Sequence, residues 1–241
     1  MASGYLPFDV AKPFADDIWI MDGPEIRFMG LPFSTRATLV RMSDGRVWVH
    51  SPIRRNAAAE ASIQSLGSVG HLIAPNWIHY AYVDEWAKSH PDARIWAAPG
   101  VSDRARKKGI PFPDAASLGD VNPWSGEIET LFVEGSGIHK ECVFFHHASK
   151  TLILTDLIEN FEPSQLRPPF RWLVQAAGIA HPDGQIPPDM ALSFRKGRPS
   201  LRAAIQQMLD WEPEKVIVAH GKCYEADGVK ELRRAFRRVL R

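Results

Sequence analysis

The chain has 241 residues, 45% hydrophobic and 24% charged, with 29 Lys and Arg against 28 Asp and Glu for a formal net charge of +1. That length suits one large domain or two small ones and lets the chain bury a substantial core, while a charge so near zero supplies no field for gathering nucleic acid or a membrane surface, so neither is expected as a partner. Two cysteines, Cys142 and Cys223, without a CxxC spacing give no support to a cysteine zinc site or a redox pair and fit a reducing, cytoplasmic setting.

The opening "MASGYLPFDVAKPF" lacks a basic-then-apolar leader pattern, and no apolar run approaches the ~18 residues that cross a bilayer. "DDIWIMDG" then reads as a strand that stops at Gly23-Pro24, with "IRFMG" as a separate piece. "RATLVRMSDGRVWVHSP" has the form of a hairpin turning at Ser43-Asp44-Gly45. "NAAAEASIQSLG" reads as a helix capped by Asn56 and stopped by Gly67. "GHLIAPN" is a short buried strand, and "HYAYVDEWAKSHP" has helix spacing, with Tyr82 and Trp86 four apart. "ARIWAAPG" is a strand and "VSDRARKKG" a polar helix. "EIETLFVEG", a second hairpin "ECVFFHHASKTLILTDL" about Ala148-Ser149, and "KVIVAHG" are further strands. "KELRRAFRRVLR" closes the chain as an amphipathic helix with Leu232, Phe236, Val239 and Leu240 inward and its arginines solvated. The stretch 160–199 differs: it carries seven prolines and one helix-like piece, "PFRWLVQAAGI". A connection so long is functional or mobile, and it is expected to pack as an insertion over the domain. The mixture predicts a layered α/β (α+β) architecture over a single domain, 1–241.

Polar residues collect at the ends of the apolar runs. His50 ends "WVH", Asn76 and His79 follow "HLIAP", His139 and Glu141 precede "CVFF", Asp156 ends "LILTD" and His220 ends "VIVAH". Ligands of α/β sheets bind where strands give way to loops, and imidazole and carboxylate are donors that a divalent metal takes. Some of these residues also have structural readings. Asn76 suits a helix cap, and His79 reads either as a ligand or as a helix-N-terminal residue bonding the backbone. His146 and His147 alternate across a strand and read as structural. His71, His90 and His181 read as surface or turn residues, and Cys142 as a buried, inert thiol. GxSxG, the P-loop and GxGxxG are all missing from the sequence, so serine hydrolases, nucleotide hydrolases and dinucleotide enzymes lack their simplest signature.

Taken together, "HLIAPNWIHYAYVDEW", "SGIHKECVFF", "KTLILTDLIEN" and "KVIVAHG" resemble, in order, the four site segments of the metallo-β-lactamase superfamily. Those are a His-x-His-x-Asp-His loop opening a helix, a Gly-His loop, a strand ending in Gly-Asp-Leu and a strand ending in Gly-His-Gly. "FSTRATLVRMSDGRVWVHSPI", "LIAPNWIHY", "WAAPG" and "TLILTDLIENF" are similar to its uncharacterised DUF4336 branch. The resemblance implies a four-layer αββα sandwich, with 160–199 outside it. It also implies a site that departs from the family pattern: Asn76 takes the place of the first histidine, and Tyr80-Ala81 stand where the Asp-His pair belongs. The ligands that remain are too few for two metals. They imply one divalent ion, zinc or alternatively iron, held by His79, Asp156 and His220, with His139 or Glu141 completing the set. Asp156 and His79 are the expected catalytic residues, and Asn76, Glu141 and His50 are secondary candidates. The implied reaction is metal-assisted hydrolysis of an ester, lactone or thioester in a small-molecule substrate. The alternative is a non-catalytic member that binds a small molecule or a protein partner, in which Asn76 and its neighbours satisfy one another by hydrogen bonds.

Overall fold

The structure is a computed structural model that describes residues 4–28 and 30–241. Met29 of the "IRFMG" piece and the first three residues of the opening stretch lie outside the described residues.

β1 (Lys12–Ala15), β2 (Ile18–Phe28) and β3 (Leu31–Arg41) form an antiparallel run. The expected stop at Gly23-Pro24 is not there. β2 continues through it, and the register with β3 shifts between Gly23 and Ile26. The proline falls where the ladder is already irregular, which is where a sheet tolerates a missing N–H. β4 (Val47–His50) completes the expected hairpin with β3. At its turn Gly45 has φ of 80°, a left-handed conformation that glycine adopts at no steric cost.

From β4 the sheet turns parallel. α1 (Ala57–Gln64) begins at Asn56, whose Oδ1 accepts from the amides of Ala58 and Ala59. It leads to β5 (Val69–Ala74), α2 (Val83–Ser89) leads to β6 (Arg94–Ala97), and α3 (Val101–Lys108) leads to β7 (Ala116–Ser117). The seven strands lie in sequence order. Every residue of β4 and β5 is buried, as expected for strands covered on both faces.

The second sheet holds β8 (Ile128–Val133), β9 (Glu141–His146), β10 (Thr151–Ile153) and β11 (Lys215–Ile217), in the order β11-β10-β9-β8. β9 and β10 are the second expected hairpin, and β11 joins β10 in parallel. The long crossover between β10 and β11 contains α4 (Phe170–Ala177), α5 (Pro188–Ser193) and α6 (Arg198–Asp210). The C-terminal helix is in two pieces, α7 (Gly228–Ala235) and α8 (Arg237–Leu240), which meet at the fully buried Phe236.

The two sheets face one another across an aromatic core. Trp48 of β4 meets Phe144 of β9 edge-on at 5.0 Å and Trp124 at 5.9 Å, and Trp124 meets Trp96 at 4.8 Å. α2 packs against β5 of the first sheet and α6 against β8 of the second. The result is the four-layer αββα sandwich. His71 is not the surface residue expected from sequence. It is buried, and its Nδ1 accepts from the Trp96 indole at 3.2 Å.

His50 is buried between the sheets, stacked on Trp48 and edge-on to Phe144, and neither of its ring nitrogens has a partner among the described residues. Burial, reinforced by the charge of His79, pushes its pKa down to about 3. The unfolded chain takes up this proton near pH 6.5, whereas the folded protein cannot until about pH 3. Stability therefore falls as pH drops through that window, by up to about 1.4 kcal/mol per unit. His50→Phe keeps the aromatic stacking and removes the titration. Its urea midpoint, followed from pH 7 to pH 4, is expected to decline less steeply than that of wild type, and parallel declines would remove His50 from the acid limb.

Candidate metal centre

Asp156 lies three residues beyond the end of β10, and His220 three beyond the end of β11. Because β10 and β11 are parallel neighbours, their C-terminal ends lie side by side, and both residues arrive at the same edge. His79 reaches that edge from the other sheet, on the turn that precedes α2. The Asp156 carboxylate is the hub. Its Oδ1 lies 3.1 Å from His79 Nε2 and 3.2 Å from His220 Nε2. One donor atom from each of the three residues falls within 4.8 Å of the others.

Each member is held from behind. His79 Nδ1 pairs with the Ser51 hydroxyl at 2.7 Å, which turns Nε2 toward Asp156. Ser51 itself has φ of 52°, a left-handed conformation uncommon for a residue with a side chain. Asn76 is not the helix cap expected, because α2 begins only at Val83; it caps the turn before it, its Oδ1 accepting from the amides of Ile78 and His79 at 2.8 and 2.7 Å. The same side chain donates from Nδ2 to Asp156 Oδ2 at 2.6 Å and to Thr155 Oγ1 at 2.8 Å. Glu141 is fully buried and accepts from the backbone amides of Thr155 and Asp156. It fixes the loop that carries Asp156 and does not point into the donor group. His139 also lies outside that group, with its Nε2 directed at Glu141 Oε2 at 3.0 Å. His50 sits deeper, in the core between the sheets. The structure thus brings together His79, Asp156 and His220, and arranges Asn76 and Glu141 around them.

The loop of His220 is clamped from two sides. Asn160 donates its amide to the His220 carbonyl and its Nδ2 to the Lys222 carbonyl, and its own carbonyl accepts from the Lys222 amide. The chain passes so close that a Cβ on Gly221 would run into the Asn160 carbonyl, and Gly221 has φ of 90°. This is why glycine follows the histidine. From the other sheet, Arg36 donates from Nη1 to the carbonyls of Val218 and Gly221 at 2.6 and 2.9 Å, and from Nε and Nη2 to Asp22 Oδ1. The His220 ring packs edge-on to Phe33 and parallel to Phe161. The sequence reading missed Arg36, Asp22, Ser51 and Asn160. A signal existed for one pair: Asp22 and Arg36 are opposite charges set among apolar residues of neighbouring strands.

Burial is the largest influence on all three donors and opposes their charged forms. At Asp156 the two imidazoles outweigh it and hold the carboxyl well below its ordinary range. At His79 the Asp156 charge outweighs it and raises the pKa. At His220 burial prevails, helped by the charges of His79 and Arg36, and the pKa falls. An ionised carboxylate and a neutral imidazole are the forms in which these groups bind a divalent cation. Donors bound at 2.0–2.2 Å around a tetrahedral ion stand about 3.4 Å apart, close to the two spacings observed here. The donor set therefore fits one divalent ion.

The three donors open on a cavity of about 330 Å³. One wall is formed by β3 and the other by the proline-rich crossover, whose Phe161, Phe170, Val174 and Ile179 form a small apolar core of their own.

Comparison with solved structures shows what class of fold this is. The chain is similar to a metallo-β-lactamase from Pontibacter korlensis, at 13% identity over 92% of this chain and 98% of that one, with a TM-score of 0.61. It is similar to the DIM-1 metallo-β-lactamase exposed to ceftazidime, at 12% identity over 98% of both chains and a TM-score of 0.66. A third is the metallo-β-lactamase from Hirschia baltica, at 11% identity over 92% of this chain and 94% of that one, with a TM-score of 0.61. The fold is the metallo-β-lactamase sandwich. Within it, residues 15–167 match the family described as "Domain of unknown function (DUF4336)", and the chain belongs to that family. No curated protein matches it in sequence.

Arg36→Met leaves Asp22 buried without its main partner and releases two carbonyls beside His220. A loss of about 3–5 kcal/mol is expected in denaturant unfolding, as for other broken buried pairs. Adding Asp22→Asn is expected to recover part of it. An Arg36→Met protein as stable as wild type would show that the clamp does not hold the loop.

Proposed function

We propose that this protein is a mononuclear metal-dependent hydrolase of an ester, lactone or thioester. The observation that carries the reading is the convergence of His79, Asp156 and His220 at the wall of a cavity large enough for a small molecule. The metallo-β-lactamase fold supports it. These three residues would hold a divalent ion, which would lower the pKa of a water toward about 7 and polarise a carbonyl. Zinc suits the donor set, and iron is the alternative.

The chain's own residues do the rest. Ser51 and Asn76 fix the two ends of the His79–Asp156 pair, so that Nε2 and Oδ1 stay turned toward one point. Glu141 holds the backbone behind Asp156. Asp156 Oδ1 and His79 Nε2 stand within hydrogen-bond reach at 3.1 Å, and a metal bound there would displace the proton between them. Phe33 and Phe161 orient the His220 ring and keep bulk water from that side of the site. The substrate is a small molecule. The setting is cytoplasmic, in keeping with two buried free thiols.

One observation favours a second reading, a non-catalytic member that binds a small molecule in the cavity. Asn76, Thr155 and Asp156 satisfy one another by hydrogen bonds, as a site that had lost its metal would arrange.

Metal content separates the two. Protein purified without chelator is expected to hold about one equivalent of zinc or iron. His220→Ala and Asp156→Ala are each expected to lose it, together with any esterase or lactonase activity, by at least 100-fold. A wild-type protein that holds no metal, even after reconstitution, removes the hydrolase reading and leaves the binding one.

A further inference from the structure

The cavity says more about the substrate than the donor triad does. Its deep walls are Leu31 and Phe33 from β3, and Phe161, Phe170, Val174 and Ile179 from the crossover. Apart from the donor triad and Arg36, its ionisable groups are carboxylates. Asp156, Glu159 and Asp189 line it, and among the described residues the carboxylates of Glu159 and Asp189 form no hydrogen bond or ion pair. The only Lys or Arg among the lining residues is Arg36. Its guanidinium is already occupied by Asp22, two backbone carbonyls and the Cys223 sulfur. Away from the donor triad, no lysine or arginine among the lining residues is therefore free to neutralise an anion in the apolar part of the cavity, and an uncompensated buried charge is costly. Burial, with Asp156 and Asp189 nearby, holds the Glu159 carboxyl well above its usual range.

We propose that the substrate carries an apolar chain and no negative charge, and that the chain lodges between β3 and α4 while the scissile carbonyl faces His79, Asp156 and His220. Placing the carbonyl there rests on the hydrolase reading above. The match between chain and cavity does not.

The test uses ligands that cannot be hydrolysed. The full-length protein is loaded with a neutral apolar dye, N-phenyl-1-naphthylamine, which is then displaced by 2-pentanone, 2-nonanone or 8-oxononanoate. The last two share a chain and differ by a terminal carboxylate. Displacement is expected to tighten with length by up to about fourfold per methylene, and 8-oxononanoate is expected to bind at least tenfold more weakly than 2-nonanone. Val174→Trp fills the cavity and is expected to weaken 2-nonanone while sparing 2-pentanone. Leu173 lines the mouth and is half exposed, 52%, so Leu173→Lys leaves the fold intact and is expected to narrow the gap between 2-nonanone and 8-oxononanoate. If Val174→Trp does not fold, Leu173→Lys carries the test alone. Displacement that ignores chain length, equal affinity for the ketone and the keto acid, or no displacement by 2-nonanone each overturns the proposal. Length-dependent binding by a protein without metal or esterase activity removes the hydrolase reading and keeps this one. Metal and ester cleavage without length dependence does the reverse.

Discussion

A single buried guanidinium ties the two halves of this protein together at its site. Arg36 belongs to the first sheet, and the carbonyls it holds belong to the loop after the last strand of the second. It is nearly inaccessible, so its charge is tolerable only because Asp22 sits against it, with Lys12 on the other Asp22 oxygen. A planar fork with five donors can bridge a carboxylate and two carbonyls at once, and lysine could not. The loop it fixes carries His220. The position of one donor in the triad therefore depends on an ion pair in the opposite sheet.

The same logic runs through the rest of the site. Asp156 is placed by Glu141, which accepts both amides of its loop, and His79 is placed by Ser51 and Asn76. These supports are short-range and directional, and they leave the three donor atoms turned inward. Asn76 does two jobs with one amide, capping the turn before α2 and pairing with the Asp156 carboxylate. Its amide donates twice from Nδ2 and accepts twice at Oδ1, whereas a neutral imidazole has a single N–H to donate.

Next to this polar edge lies an apolar cavity built by the crossover between β10 and β11. Seven prolines make that stretch poor material for regular structure. It forms short helices joined by turns and folds its own aromatic and aliphatic residues against Phe33 and Leu31. The proline-rich segment thus supplies one wall of the cavity.

Much of the fold was legible in the sequence, because it is written in local terms. The alternation and turn chemistry of "RATLVRMSDGRVWVHSP", the Asn56 cap and the second hairpin each depend on neighbours a few residues away, and each formed as read. Gly23-Pro24 misled for the converse reason: a bulge is a property of two paired strands, and one strand alone does not reveal it. Asp156 and His220 were legible as polar residues closing apolar runs, with a glycine marking a tight approach. What only the tertiary structure decided was which donors meet. His79, Asp156 and His220 converge, while His139 turns to Glu141 and His50 lies in the core, although all five sit near strand ends in the sequence. Arg36, Ser51 and Asn160 belong to the site through contacts that span as many as 185 residues. Local pattern fixes the direction of a side chain relative to its own strand, but which strands lie side by side is settled by burying the two sheets against each other, and the site's geometry follows from that packing.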